Sequence, residues 1–273
     1  MAGGLLFRHT RSVTTATDEL KQGQTMHDYQ APKDLLSNRI IVVTGAGDGI
    51  GRAAAKSYAA HGATVILMGR TQTKLESCYD EIVHAGHPEP VIAVMDFASA
   101  NEGDYINLRD RLAEAFGHID GILVNASLLG ERKPLEQTSS KSWNELMQVN
   151  VTAAFLLVKN LLVLCKQSPN DASIILTSSS VGRQGRAYWG AYAISKFATE
   201  GMMQVLADEL ENVSNVRVNT INPGATNTSM RRTAYPAERP TDNPAPEDRM
   251  NAYLYLMGPD SINVNGQACN AFG

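Results

Sequence analysis

A glycine-rich turn constrains the fold of this chain more than any other stretch. It reads TGAGDGIGR over 44–52, follows the apolar run 40–43 and precedes a helical pattern. Glycines at such a junction let the backbone turn tightly and approach a pyrophosphate, which then rests on the helix N-terminus. We therefore predict nucleotide binding rather than a ligand-free turn, although the spacing is TGxxxGxG and not GxGxxG. The predicted contacts are Thr44, Gly45, Gly47, Asp48, Gly49, Ile50 and Gly51.

Short apolar runs alternate with amphipathic stretches from Arg39 onward. The strand-like runs are 40–43, 64–68, 91–95, 121–124, 173–176 and 216–221. The helical stretches are 50–61, 72–85, 102–116, 141–166 and 191–212. Val- and Ile-rich runs with little alternation indicate strands buried on both faces. The order predicts an α/β fold, a single-domain, Rossmann-like, doubly wound parallel sheet with helices on both faces.

Two segments do not follow this alternation of strand-like and helical stretches. The first 25 residues have no acid before Asp18 and no strong apolar stretch. We predict a flexible N-terminal extension over 1–30 and the domain over 31–273; a transit peptide, or a start at Met26, is the alternative. Four prolines in 225–248 oppose strand and helix alike, so this segment is predicted as a substrate-binding loop.

Composition narrows the function classes. The net charge of −4 recruits neither nucleic acid nor an anionic membrane. The best candidate for a membrane span, 153–165, is short and interrupted by Lys159 and Asn160. The three cysteines are far apart and form no metal spacing, which fits a reducing cytoplasm. We therefore expect a cytoplasmic protein with no metal, no nucleic-acid partner and no membrane partner.

The end of the second strand bears on the choice of cofactor. An Asp or Glu there would hydrogen-bond the ribose 2′-hydroxyl of NAD, but this chain has Gly69 and Arg70. A guanidinium suits a phosphate, so Arg70 favours NADP(H). NAD(H) stays the alternative, since Asp48 adds a negative charge nearby and Arg70 would also fit an ordinary surface position.

Several motifs together resemble the short-chain dehydrogenase/reductase family over about 38–270. They are TGAGDGIG, LVNAS, MQVNV, SSSVG followed by YAISK, and INPGATNT. The run 177–209 resembles the YciK-type bacterial oxidoreductases of that family. The resemblance implies NAD(P)-dependent hydride transfer between nicotinamide and a small carbonyl or alcohol substrate, of the EC 1.1.1 type. It also implies a homodimer or homotetramer built on 141–166 and 191–212.

The family's active site combines Asn, Ser, Tyr and Lys. Its YxxxK spacing matches Tyr192 and Lys196, whereas Tyr188 lies too far from the lysine. An i, i+4 pair shares one helical face, so the ammonium can favour the ionised phenol. The family serine, thirteen residues before the tyrosine, corresponds to Ser179, with Ser180 as the alternative.

The resemblance assigns the remaining site residues. Asn150 of MQVNV would hold a water in the proton relay. Asn125 would lie beside the adenosine and Asp96 would face the adenine. Thr228 would reach the carboxamide. The other cofactor contacts are Phe97, Ala126, Ser127, Tyr192, Lys196, Pro223 and Gly224, with Ile221 and Ala225 as weaker candidates.

The chain departs from the family pattern in two places. VNAS replaces NNAG, so Ser127 would crowd the cofactor if its φ were positive. The C-terminus NGQACNAFG lacks the usual double glycine, which makes the last strand less certain. The alternative functions are an NADP-binding regulator or scaffold with little turnover, and an epimerase or dehydratase, which Asp48 and the chain length disfavour.

Overall fold

The computed structural model describes residues 25–273 and confirms the predicted fold. Seven parallel strands form one sheet in the order β3-β2-β1-β4-β5-β6-β7. The strands are β1 Ile40–Thr44, β2 Thr64–Gly69, β3 Val91–Val94, β4 Gly121–Val124, β5 Ala172–Thr177, β6 Val216–Asn222 and β7 Ala268–Asn270. Strand order reverses between β1 and β4, and ligands of such sheets bind outside the strand ends at this switch point.

Eight α-helices lie in the described part of the chain. They are α1 Gly49–Ala60, α2 Gln72–His84, α3 Glu102–Phe116, α4 Ser140–Met147, α5 Ala153–Lys166, α6 Gly190–Leu210, α7 Ser229–Ala234 and α8 Met250–Met257. All five predicted helical stretches are present. A π-helical turn over Gln148–Thr152 joins α4 to α5, so that 140–166 is one continuous helix.

Apolar side chains pack on both faces of the sheet. In β2, Val65 and Leu67 join the core on one face, whereas Ile66 and Met68 join the core on the other. This alternation explains why the strands read as continuous apolar runs. Burial also accounts for the composition of the continuous helix 140–166. That helix is long and apolar enough to cross a membrane, and its most apolar window has a mean hydropathy of 1.6. The sequence reasoning considered only 153–165 and so missed the full length of the helix. However, 56% of the most apolar window is buried in the protein.

Part of the predicted extension packs on the domain. Met26 and Tyr29 are buried. The Tyr29 hydroxyl donates to Asp260 at 2.7 Å, and its ring meets the Tyr255 ring edge-on at 5.3 Å. The predicted flexibility is therefore wrong for 25–30, because Tyr29 finds both an apolar and a polar partner. The rest of the extension, 1–24, lies outside the described residues.

The proline-rich segment is partly helical. It contains α7 and two 3₁₀ turns, Pro240–Asp242 and Pro246–Arg249. The prolines oppose helix less than expected, because α7 contains none and because Pro240 and Pro246 open the two 3₁₀ turns, where a missing N–H costs nothing. Downstream, α8 is buried on almost every side, and the uncertain last strand is present as β7, paired with β6.

Candidate active site

A groove with a volume of about 380 Å³ opens at the carboxyl ends of the strands, beside the β1–β4 switch point. Most of the predicted cofactor contacts line it. These are Gly45, Gly47, Asp48, Gly49, Ile50, Arg70, Asp96, Phe97, Asn125, Ala126, Ser127, Tyr192, Lys196, Pro223 and Thr228. Thr44, Gly51, Asn150, Ser179 and Gly224 are not in its lining.

The glycine-rich turn is packed so closely that side chains would not fit. Gly45 has a φ of +70°, in the left-handed region that glycine tolerates. A β-carbon on Gly51 would lie 2.3 Å from the Gly45 carbonyl oxygen and 2.7 Å from the Asn125 amide nitrogen. Gly51 therefore packs against the backbone of the turn and does not line the groove. Gly45 and Gly49 line the groove without side chains, which suits the approach of a pyrophosphate.

Thr44 holds the turn after β4 in place. Its hydroxyl accepts hydrogen bonds from the backbone N–H groups of Asn125 at 2.8 Å and Ala126 at 3.0 Å. The Thr177 hydroxyl donates to the Asn125 side chain at 3.3 Å. Ser127 is not among the described non-glycine residues with positive φ, so the condition for crowding by its β-carbon is not met.

The end of the groove next to β2 is basic. Arg70 is exposed there and forms no ion pair with any residue of 25–273. Lys74, in the first turn of α2, lines the same end, and its ammonium lies 2.7 Å from the Asp48 carboxylate. This hydrogen bond is the largest cause that lowers the pKa of Asp48. The sequence reasoning treated Asp48 as an unpaired negative charge and missed Lys74, although Lys74 follows Arg70 closely in sequence.

Asp96 and Phe97 line the groove beyond β3. The Asp96 carboxylate accepts a hydrogen bond from the backbone N–H of Ala98 at 3.1 Å, which orients the carboxylate within its own turn. Pro223 and Thr228 also contribute to the wall of the groove, and the Thr228 hydroxyl caps α7 by accepting from Arg231 N–H at 3.1 Å.

Gly224 shapes the turn after β6 from behind the groove. Its φ is +70°, and a β-carbon there would lie 2.7 Å from the ring of Phe272. Its N–H donates to the Asn222 side chain at 3.0 Å. The C-terminal segment therefore packs directly against the turn that carries Pro223.

Tyr192 and Lys196 lie side by side in the groove, on one face of α6. Both are buried, and the Lys196 ammonium lies 5.5 Å from the Tyr192 ring centroid. The ammonium donates to the Thr177 carbonyl at 2.8 Å. Burial raises the pKa of Tyr192 to about 12, against a smaller lowering by the Ser179 hydroxyl. Burial lowers the pKa of Lys196 to about 8, against the raising effect of Glu200. At neutral pH the phenol is thus protonated and the lysine is charged. Lys196 is not among the causes acting on the pKa of Tyr192, so its expected lowering of that pKa stays a prediction.

The three consecutive serines have different surroundings. The Ser179 hydroxyl lowers the pKa of Tyr192. Ser178 is buried and lines the groove, but its hydroxyl donates to Glu200 at 2.6 Å. Ser180 is exposed. Of the three, only Ser179 is a cause acting on the pKa of the tyrosine.

Asn150 lies in the π-helical turn, behind the groove. Its side-chain oxygen accepts from Leu128 N–H at 2.7 Å. Its amide nitrogen donates to the Leu128 carbonyl at 2.9 Å and to the Ser195 hydroxyl at 3.0 Å. The side chain thus ties the segment after β4 to α6, and its role in holding a water stays a prediction.

Aromatic and cationic side chains extend the site beyond Tyr192. The Trp189 ring lies 5.7 Å from the Tyr192 ring and 6.0 Å from that of Tyr235. The Arg132 guanidinium stacks on both Trp189 and Tyr235. Tyr188, by contrast, is 59% exposed. Among residues 25–273, no group of three or more His, Cys, Asp or Glu could hold a metal ion.

Comparison with known proteins gives consistent similarities. The short chain dehydrogenase family model matches residues 39–239. The chain is 49% identical over 246 residues to the uncharacterized oxidoreductase YciK of Escherichia coli, covering 90% of this chain and 96% of YciK. A short chain dehydrogenase of Pseudomonas syringae is 56% identical with a TM-score of 0.86, covering 90% of this chain and 99% of that one. One of Escherichia coli, crystallised with NADPH, is 48% identical with a TM-score of 0.86, covering 89% and 100%.

Proposed function

Because the chain belongs to the short-chain dehydrogenase/reductase family of oxidoreductases, next to YciK-type members, we propose that it transfers a hydride between NADP(H) and a small carbonyl or alcohol substrate. The observation that carries this proposal is the arrangement of Ser179, Tyr192 and Lys196. A protonated phenol whose pKa a serine hydroxyl lowers lies beside a buried ammonium, and both line a groove with a glycine-rich turn of the dinucleotide-binding type.

The groove fits a phosphorylated dinucleotide. The bare backbone of the turn, which follows from Gly45 and Gly49, accommodates a pyrophosphate at the N-terminus of α1. Arg70 offers unpaired donors to a 2′-phosphate, and Lys74 offsets the negative charge of Asp48. The relative from Escherichia coli that was crystallised with NADPH supports the same choice.

The bound nicotinamide supplies or accepts the hydride, and the residues of this chain manage the proton. In carbonyl reduction, Tyr192 donates its phenolic proton to the substrate oxygen while the hydride reaches the carbonyl carbon. Ser179 donates a hydrogen bond to the same oxygen and orients it. Lys196, charged at neutral pH, stabilises the phenolate that forms, since an opposite charge nearby favours the ionised form. Oxidation of an alcohol reverses these proton movements.

The substrate enters beside the proline-rich segment. Trp189 and Tyr235 form an aromatic wall next to Tyr192, with the Arg132 guanidinium stacked on both rings, and Tyr235 belongs to 225–248. We assign 225–248 to substrate binding within a single catalytic domain over 31–273. Such a wall favours a small organic carbonyl or alcohol with an apolar part.

We assign a homodimer or homotetramer to α5 and α6. Large apolar side chains remain exposed there, at Phe155, Val163, Phe197 and Val205. Apolar groups gathered on neighbouring long helices are typical of subunit contacts. We also propose a cytoplasmic location, because all three cysteines are free and buried.

A panel of aldehydes, ketones and secondary alcohols tests the activity by NADPH or NADP⁺ absorbance. We expect turnover of at least one compound and retention of NADPH binding in Tyr192→Phe, with turnover lowered by about 10²- to 10⁴-fold, the usual contribution of an acid–base group. Tyr188→Phe is the matched control and should leave turnover unchanged. Tight NADPH binding with no turnover on any compound would instead indicate a cofactor-binding regulator or scaffold.

A further inference from the structure

Glu200 is a buried carboxylate with three donors and no assigned role. It is 6% exposed. The Ser178 hydroxyl donates to it at 2.6 Å, the Thr220 hydroxyl at 2.7 Å and the Arg183 guanidinium at 2.9 Å. A buried charge is costly unless it is paired and hydrogen-bonded, and here the pairing is complete.

These contacts join the elements that carry the reacting groups. Glu200 lies on α6 one turn after Lys196, whereas Ser178 directly follows the end of β5 and precedes Ser179. The segment after Ser179 presses on the same helix, because a β-carbon on Gly182 would lie 2.7 Å from the Lys196 β-carbon. The position of the serine relative to the tyrosine and lysine therefore depends on this junction.

Arg183 extends the junction to the last strand. Its guanidinium donates to the Cys269 carbonyl at 2.8 Å and to the Asn270 side chain at 2.9 Å. Residues in or directly after β5, β6 and β7 are thus bound to α6 through one carboxylate and one guanidinium.

We propose that Glu200 is a positioning residue: its carboxylate fixes the Ser179 strand end against α6 and places a negative charge one helical turn from the Lys196 ammonium. This inference rests on the proposed function, because it concerns the groups that move the proton.

The charged groups around Lys196 affect its pKa. On α6, Lys196 faces Tyr192 and Glu200, and from β5 it meets the neutral Thr177 carbonyl. Arg183, beyond Glu200, opposes the effect of the carboxylate, and the Cys269 thiol of β7 is neutral because burial raises its pKa to about 12. Burial lowers the pKa of Lys196 and Glu200 raises it, so removal of the carboxylate charge should lower that pKa further.

The variant Glu200→Gln tests the proposal, since it keeps the shape and removes the charge. We expect kcat for carbonyl reduction to fall roughly tenfold, as misplaced catalytic groups allow. The alkaline limb of the kcat profile should move to lower pH by about one unit. The titration of Lys196, followed by NMR with ¹³C-labelled lysine, should move in the same direction.

Thr220→Val is the control: it removes one hydrogen bond to Glu200 but no charge, and it should lower thermal stability without moving the kcat profile or the Lys196 titration.

Unchanged pH curves in a folded Glu200→Gln protein would overturn the proposal. If that variant does not fold, Arg183→Gln replaces it and should move both curves to higher pH, because it removes the opposing cation; no movement would overturn the proposal equally. The NMR titration needs no turnover. An absence of wild-type turnover would therefore count against the proposed function, whereas a Lys196 titration indifferent to Glu200 would count against this inference alone.

Discussion

Arg70 should decide the preference for NADP(H) over NAD(H). It is an exposed arginine at the end of β2, it lines the groove, and no ion pair with any residue of 25–273 occupies its guanidinium. A bound 2′-phosphate would accept charge-assisted hydrogen bonds from it. Such bonds reach about 1.5–3 kcal/mol, and solvent screening at an exposed side chain reduces this to about 1–2 kcal/mol. Arg70→Ala should then weaken NADPH binding by about 5- to 30-fold.

Calorimetric titration with NADPH and NADH at low and high salt measures this effect. Arg70→Ala should leave the Kd for NADH unchanged, because NADH lacks the 2′-phosphate. The difference between the two cofactors should shrink as salt is added, since the charges are exposed. Arg111→Ala, at another exposed arginine, which lies on α3 away from the groove, is the matched control and should change neither affinity.

Lys74→Ala extends the test to the neighbouring ion pair. The substitution leaves the Asp48 carboxylate without its partner at 2.7 Å. NADPH should bind more weakly because a free carboxylate repels phosphate, whereas NADH should bind equally well or better because a carboxylate can accept from the 2′-hydroxyl.

In Arg70→Ala, an equal loss of affinity for both cofactors, or no loss for either, would refute the assignment of the phosphate to this end of the groove.

Three further predictions concern the turn and the reacting groups. Gly51→Ala places a methyl group against a backbone carbonyl of the turn and should weaken NADPH binding by about tenfold or more. Gly201→Ala, where the added methyl group has open space, should leave NADPH binding unchanged, and calorimetry compares the two affinities. Ser179→Ala should lower kcat by about 10²-fold and Ser180→Ala by less than twofold, as measured by steady-state kinetics; equal losses would contradict the choice of serine. Carbonyl reduction needs Lys196 charged, so its rate should fall as pH rises through about 8, and a rate that stays level to pH 10 would refute that requirement.

The sequence predicted the sheet and the Tyr192–Lys196 pair because both depend on local spacing. Val- and Ile-rich runs mark strands buried on both faces, and an i, i+4 pair must share a helical face. It also placed Arg70 at the correct strand end, since that position follows directly from the chain order. These features need no knowledge of which distant residues meet.

The features that escaped prediction depend on contacts between distant residues. The pairing of Lys74 with Asp48 changes the electrostatics of the phosphate end, yet 26 positions separate the two residues. Tyr29 is ordered by Asp260, 231 positions away. The helix α8 escaped prediction for a different reason: it has almost no polar face, so its apolar run lacks the period that marks an amphipathic helix.

Hydride transfer itself is tested most directly with NADPH that carries deuterium at the transferable position of the nicotinamide, incubated with a carbonyl compound that the protein accepts. The account predicts one deuterium on the carbinol carbon of the product, together with loss of this product in Tyr192→Phe despite retained NADPH binding. Product without deuterium on that carbon, or formed at the wild-type rate by Tyr192→Phe, would contradict it.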